Sequence, residues 1–204
     1  MALDVELTIS AEWLNFVNSV IGGIQTTTTP RRRVALGFFH LGLEHFSAIH
    51  TLLQTIHPGS ALVLVRPQFE AFIRGTWYWH CASDEQLGAF TAGVSPPRID
   101  VLLDQLDQFQ GYAPDNLKAV KQEVWGVMND YTHGGTSQIT GQNSVEDIGC
   151  NYPEEQLVGA IQTAANIVLL LGLVLAEVVN DAAVSQQLME KHKQLYGTRV
   201  YASV

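Results

Sequence analysis

Apolar residues recur along this chain at intervals of three and four, the period of a helix rather than the alternation of a strand. Trp13, Leu14, Val17 and Val20 set that rhythm first and predict a helix over 10–25. "TTTTP" follows, where Thr29 can cap and Pro30 can take the first position of a long helix over 31–57. "HPGS" at 57–60 breaks that helix, and Ser60 is placed to cap a third one reaching residue 82. Pro67 lies inside it and should kink it or mark a new start. "ALVLV" alone also reads as a strand, but its continuation into "FEAFIRGTWYWHCA" favours helix.

A shorter helix is expected over 84–90, another over 97–109 after "GVSPP", and another over 114–131 that Gly134 and Gly135 end. Residues 134–152 are polar, rich in glycine and asparagine, and read as a surface loop. The last long helix is predicted over 153–181, with "PEE" placing acids on its positive end, and it continues with a bend through "VSQQLMEKHKQLYG". The fold class is all-α: a helical bundle of about six to seven helices in a single domain over residues 1–204.

Composition sharpens this picture. Hydrophobic residues make up 47% and charged residues 15%, which points to buried helices and an oligomeric surface. A formal net charge of −9 argues against a protein that coats nucleic acid non-specifically, while leaving room for a small basic pocket. Cys81 and Cys150 match neither a metal spacing nor a disulfide framework, so a reducing cytoplasm is expected. "MALDVELTIS" carries no basic n-region and is not read as a secretory signal. Residues 156–176 carry no charge, but Gln162, Thr163 and Asn166 interrupt them and no anchors flank them. A buried bundle helix is therefore expected rather than a membrane span.

The chemistry concentrates in "RPQFEAFIRGTWYW" at 66–79. Arg66, Glu70 and Arg74 step by four, and Trp77 falls close to Arg66 in angle, so all four share one stripe. The surrounding positions are apolar, so these charges must be paired or must serve a ligand. Two arginines and one glutamate leave a surplus positive charge. Glu44, on one face with His40, is a natural acid to answer it. The stripe is either an internal ion-pair network or a pocket for phosphate or carboxylate, where the planar guanidinium excels.

Other clusters are less pointed. "HLGLEHFSAIH" at 40–50 holds three histidines and a glutamate, but His45 and His50 face away from His40 and Glu44, so no metal site is expected. "RRR" at 31–33 sits at the unfavourable end of a helix, as a solvated cluster or for an anionic partner. No Gly-rich phosphate loop, Ser–His–Asp pattern or paired-cysteine motif occurs, and no cofactor is expected.

"RPQFEAFIRGTW", followed by "NDYTHGG", resembles a group of bacterial all-helical proteins of unknown function allied to the HEPN-like superfamily. That resemblance implies a dimerising helical bundle and, in many relatives, a metal-independent RNase of toxin–antitoxin or phage-defence systems. It places Asn129 at the motif's polar position and His133 at its histidine, but Met128 at the position of its arginine. Methionine can neither polarise a phosphate nor activate a hydroxyl. Arg66 or Arg74 then supplies the cation from the neighbouring helix, or there is no nuclease activity. Asp130 is placed to orient or charge-balance His133; otherwise His133 is a polar residue meeting the negative end of its helix.

The expected function is a binding or regulatory module for an anionic small ligand or RNA. The cluster for it comprises Arg66, Glu70, Arg74, His40, Glu44, Asn129 and Asp130, with His133 as the catalytic candidate. An RNase using His133, and an interaction protein held by an internal salt-bridge network, are the alternatives.

Overall fold

The computed structural model describes residues 2–109, 114–144 and 148–197. Among them are nine helices: α1 (Ala2–Ile21), α2 (Pro30–Gln54), α3 (Pro58–His80), α4 (Asp84–Thr91), α5 (Ile99–Asp107), α6 (Pro114–Thr132), α7 (Thr136–Thr140), α8 (Glu154–Val179) and α9 (Ala182–Tyr196). The described residues form no strand beyond one isolated antiparallel bridge between Asn143 and Ile148. The fold is all-α.

Local chemistry sets most boundaries. Thr29 accepts a hydrogen bond from the Arg32 amide, with Pro30 in the first turn of α2. Ser83 and Gln86 close a capping box at α4. Asn180, in the left-handed region at φ 59°, ends α8, and the Asp181 side chain caps α9. The bend expected in the last segment is therefore a break between two helices.

α2 and α3 run antiparallel at close range. A Cβ at Gly75 of α3 would lie 2.5 Å from Phe39 Cε1 of α2, and one at Gly42 of α2 would lie 2.6 Å from Leu171 Cδ1 of α8. These glycines let the backbones approach where a side chain would hold them apart. α8 packs on α1, α2, α3 and α9. Gln68, fully buried, donates from Nε2 to the Ala164 carbonyl at 3.0 Å and ties α3 to α8 across the core. α8 is long and apolar enough to cross a membrane, with mean hydropathy 2.1, yet 56% of that window is buried inside the bundle. The opposite side of α3 carries α5 and α6.

Several expectations are corrected. α1 begins at Ala2, because its inward face is polar at Glu6 and Ser10 and the apolar rhythm is interrupted there. Ser10 Oγ lies 2.8 Å from His50 Nδ1, and Gln162 Nε2 donates to Glu6 at 2.9 Å, so those polar groups are partnered inside. α3 starts at Pro58 rather than after Ser60, and it continues helical through Pro67.

The arginine run is also corrected. Arg31 donates from Nη1 to the carbonyls of Tyr78 and Ala82, both at 2.7 Å, and from Nη2 to Asp84 at 2.8 Å. It caps the C-terminal end of α3, where a cation meets the negative helix dipole. Arg32 reaches back to Thr27 Oγ1 at 2.7 Å.

Candidate functional site

α3 presents Arg66, Glu70 and Arg74 as one ladder. Arg66 Nε donates to Glu70 Oε1 at 3.0 Å, and Arg74 Nη2 donates to Glu70 Oε2 at 2.8 Å. A single carboxylate thus holds two guanidinium groups. The three side chains are 20–24% exposed, so the ladder sits at the edge of the core with one side open to solvent. Trp77, expected on the same stripe, is fully buried and donates from Nε1 to Gln105 at 2.6 Å.

α6 faces this ladder with a stripe of its own. Lys121, Trp125, Asn129 and His133 step by four along the chain, which places them on one helical face. The Arg66 guanidinium lies 4.8 Å from the Trp125 ring centroid, and Lys121 Nζ lies 4.9 Å from it, the distances of cation–π contacts. The edge of Trp125 meets Phe69 with ring centroids 6.4 Å apart, which fixes the indole against α3. Lys121 also pairs with Asp100 of α5, and its hydrogen bond holds the Asp100 carboxyl below the usual carboxylate range. Sequence reasoning missed Lys121 and Trp125. Their spacing of four from Asn129 and His133 was the available signal.

The two stripes meet at His133. α6 ends at Thr132, and Gly134 takes φ +66° while the Gly135 amide donates to the Asp130 carbonyl at 2.7 Å. This turn stops the helix as the double glycine predicts. It leaves the exposed His133 ring beside α3, where Arg66 Nη1 lies 3.1 Å from His133 Nε2. A guanidinium only donates, so Nε2 is the acceptor in this contact. Met128, at the motif's arginine position, is 4% exposed and belongs to the core. The histidine therefore has an arginine partner, and it comes from α3.

The remaining predicted residues divide. Asp130 does not contact His133 among the described contacts; its carboxylate accepts from the Ser137 amide at the start of α7. Hydrogen bonds from Ser137 pull the Asp130 carboxyl below its usual range. α7 itself was not predicted, because five residues are too few to show a period. The Asn129 side chain is half-buried on the His133 stripe. His40 and Glu44 face each other at 3.9 Å on the outer side of α2, 77% and 68% exposed. Among the described residues, no hydrogen bond or ion pair joins them to the arginine ladder, so Glu44 does not answer its surplus charge. Counting Arg66, Arg74 and Lys121 against Glu70 and Asp100, three cations face two carboxylates. Among the described residues, no three His, Cys, Asp or Glu side chains are grouped to hold a metal ion.

The model of one protein family, a family of unknown function (DUF6988), matches residues 39–200. The chain belongs to that family. The match spans both stripes, from within α2 to the end of α9. No curated protein and no solved structure matches the chain.

Proposed function

We propose that this member of the DUF6988 family is a binding or regulatory module that takes an anionic group, a phosphate or carboxylate, between Arg66 and His133. The observation that carries this reading is the 3.1 Å approach of Arg66 Nη1 to His133 Nε2 at the exposed end of α6. Arg66 is held by Glu70 through Nε, so its outer nitrogens are aimed while its stem is fixed. An anion entering there replaces the uncharged imidazole acceptor of the guanidinium with a charged one, which adds ion pairing in a planar, bidentate geometry. The surplus cation of the cluster supports the same sign of ligand. The apolar, weakly charged composition and the motif resemblance support a HEPN-like homodimer in a bacterial cytoplasm, in a defence or toxin–antitoxin setting.

The test is thermal unfolding with inorganic phosphate. A ligand at a hundred times its Kd adds about 2.7 kcal/mol to stability, a rise of several degrees in Tm. Arg66→Ala and His133→Ala should each remove that rise. An unchanged response in both variants rejects the site, and no response in the parent leaves the ladder as an internal salt-bridge network.

The same contact favours a second reading. His133 with a guanidinium alongside has the parts for metal-independent cleavage of RNA: a phosphate that draws Arg66 off Nε2 frees that nitrogen to take the 2′-hydroxyl proton while the guanidinium meets the phosphate charge. Incubation with mixed RNA in chelator, beside His133→Ala and Arg66→Ala, decides it. Cleavage lost in both variants makes the pair catalytic. Absence of cleavage by the parent leaves binding alone.

A further inference from the structure

At the other end of α3, roughly 20 Å from Arg66 at the helical rise, lies an open cavity of about 370 Å³. It is lined by His80, Cys81, Gln86, Gln105, Gln108 and Phe109. That volume falls within the range of small-molecule sites, about 300–1,000 Å³. Its lining comes from four places in the chain: the end of α3, α4, α5 and the residues just after α5.

The hydrogen-bonding capacity of this lining is fixed by the structure around it. Trp77 Nε1 can only donate, so the Gln105 atom 2.6 Å away is its carbonyl oxygen. The Ser83 amide likewise donates to Gln86 Oε1 at 2.8 Å. In both glutamines the carbonyl is committed to the scaffold and the NH2 group is left over. Among the described residues, no hydrogen bond uses the NH2 of Gln86 or Gln105, or either end of the Gln108 amide.

The exposed rim of the cavity thus offers uncommitted amide donors. The cavity has no lysine or arginine in its lining, and burial lowers the pKa of His80, with Glu177 opposing more weakly. Glu177 Oε2 lies 3.4 Å from His80 Nε2, a negative charge beside the lining that disfavours an anion. His80 and Phe109 meet with centroids 4.6 Å apart and rings tilted by 37°, and Phe109 remains 37% exposed, so part of an aromatic ring is available to a flat partner.

We propose that this cavity is a second binding site, for an uncharged planar molecule carrying a carbonyl, such as an aromatic amide or a cyclic imide. The carbonyl accepts from the glutamine NH2 groups and the ring lies against Phe109.

Cys81 reports on occupancy, because its half-buried thiol lines the cavity while Cys150 is exposed elsewhere. In the full chain carrying Cys150→Ser, alkylation of Cys81 by iodoacetamide is timed at alkaline pH, since burial raises its pKa. Benzamide, nicotinamide and uracil are the probes. A bound probe slows alkylation by the factor 1 + [L]/Kd, about threefold at twice Kd. Gln86→Glu keeps the capping acceptor and removes the donor; Gln108→Leu removes an amide without touching the cap. Protection by at least one probe, lost in at least one of these variants, is the expected result. No protection by any of the three, or protection unchanged in both variants, overturns the proposal.

Discussion

Arg66 and His133 stand 67 positions apart in the chain and 3.1 Å apart in space. Two helices with a four-residue polar period bring them together. Glu70 decides how strongly Arg66 can act, because that carboxylate competes with any incoming anion for the guanidinium. Glu70→Gln should therefore have two opposite effects. Stability falls by about 1–3 kcal/mol, since two half-buried arginines lose their shared partner at a partly solvent-screened site. The Tm rise produced by phosphate grows, since the anion now replaces the missing charge. Thermal unfolding with and without phosphate measures both, and a phosphate response that shrinks with Glu70→Gln contradicts the proposed role of Arg66.

Met128→Arg restores the residue that the motif resemblance expects five positions before His133, and it should not restore a site. Met128 is 4% exposed in the core, so an arginine there buries a charge with no partner. The expected cost is on the order of 3–5 kcal/mol, with no gain in phosphate binding. Urea unfolding and the phosphate response together check it. A stable variant with a stronger response would mean that α6 presents this position to the ligand after all.

The ladder was legible before the structure because its spacing and its apolar neighbours both point to one stripe. Glu70 pairs with both Arg66 and Arg74 on the face that the four-residue step requires. The facing stripe was not read, since Lys121 and Trp125 look like ordinary positions of an amphipathic helix until α6 is laid on α3. Glu44 was misplaced for a related reason. Being a lone acid on α2 shows that a residue is conspicuous, not which way the helix turns, and α2 is fixed by Gly42 and Phe39 packing inward. Asp130 was read toward His133 because the short α7, whose start it caps, has too few residues to show a period. Helix existence was legible in α2, α3 and α8, where the apolar rhythm runs long. α1 was shortened because Glu6 and Ser10 face the core.

Gly75, where α3 meets α2, and Gly42, where α2 meets α8, should respond unequally to alanine. At Gly75 the new methyl meets Phe39 at 2.5 and 2.8 Å and Phe38 Cβ at 3.1 Å, and these aromatic side chains are packed in place. Gly75→Ala should lose about 1–3 kcal/mol from overpacking, more than the gain in helix propensity returns. At Gly42 the near atom is the Leu171 Cδ1 methyl, the end of a side chain that can rotate. There the propensity gain of roughly 1 kcal/mol offsets the crowding and Gly42→Ala stays near the parent. Denaturant unfolding of both variants tests the ranking, and equal losses would show that the two contacts are equally rigid.

His192 of α9 gives the bundle an acid weakness. Its ring is fully buried between Trp13, edge-on at 5.1 Å, and Tyr196 at 4.6 Å. Burial lowers its pKa from the ordinary 6.5 to about 4. The folded state therefore favours the neutral ring and the unfolded chain takes the proton first. The contribution is intact above pH 6.5 and is lost as pH falls toward about 4, amounting to about 3 kcal/mol at the lower end. Burial also lowers the pKa of His50 and His80, so they act in the same direction and steepen the loss. His192→Phe keeps an aromatic ring between Trp13 and Tyr196 and removes the proton, so it should flatten this part of the profile alone. Urea midpoints for parent and variant at neutral pH and at about pH 4.5 measure it. If the variant loses as much stability on acidification as the parent does, the acid weakness lies in the other histidines and not in the docking of α9.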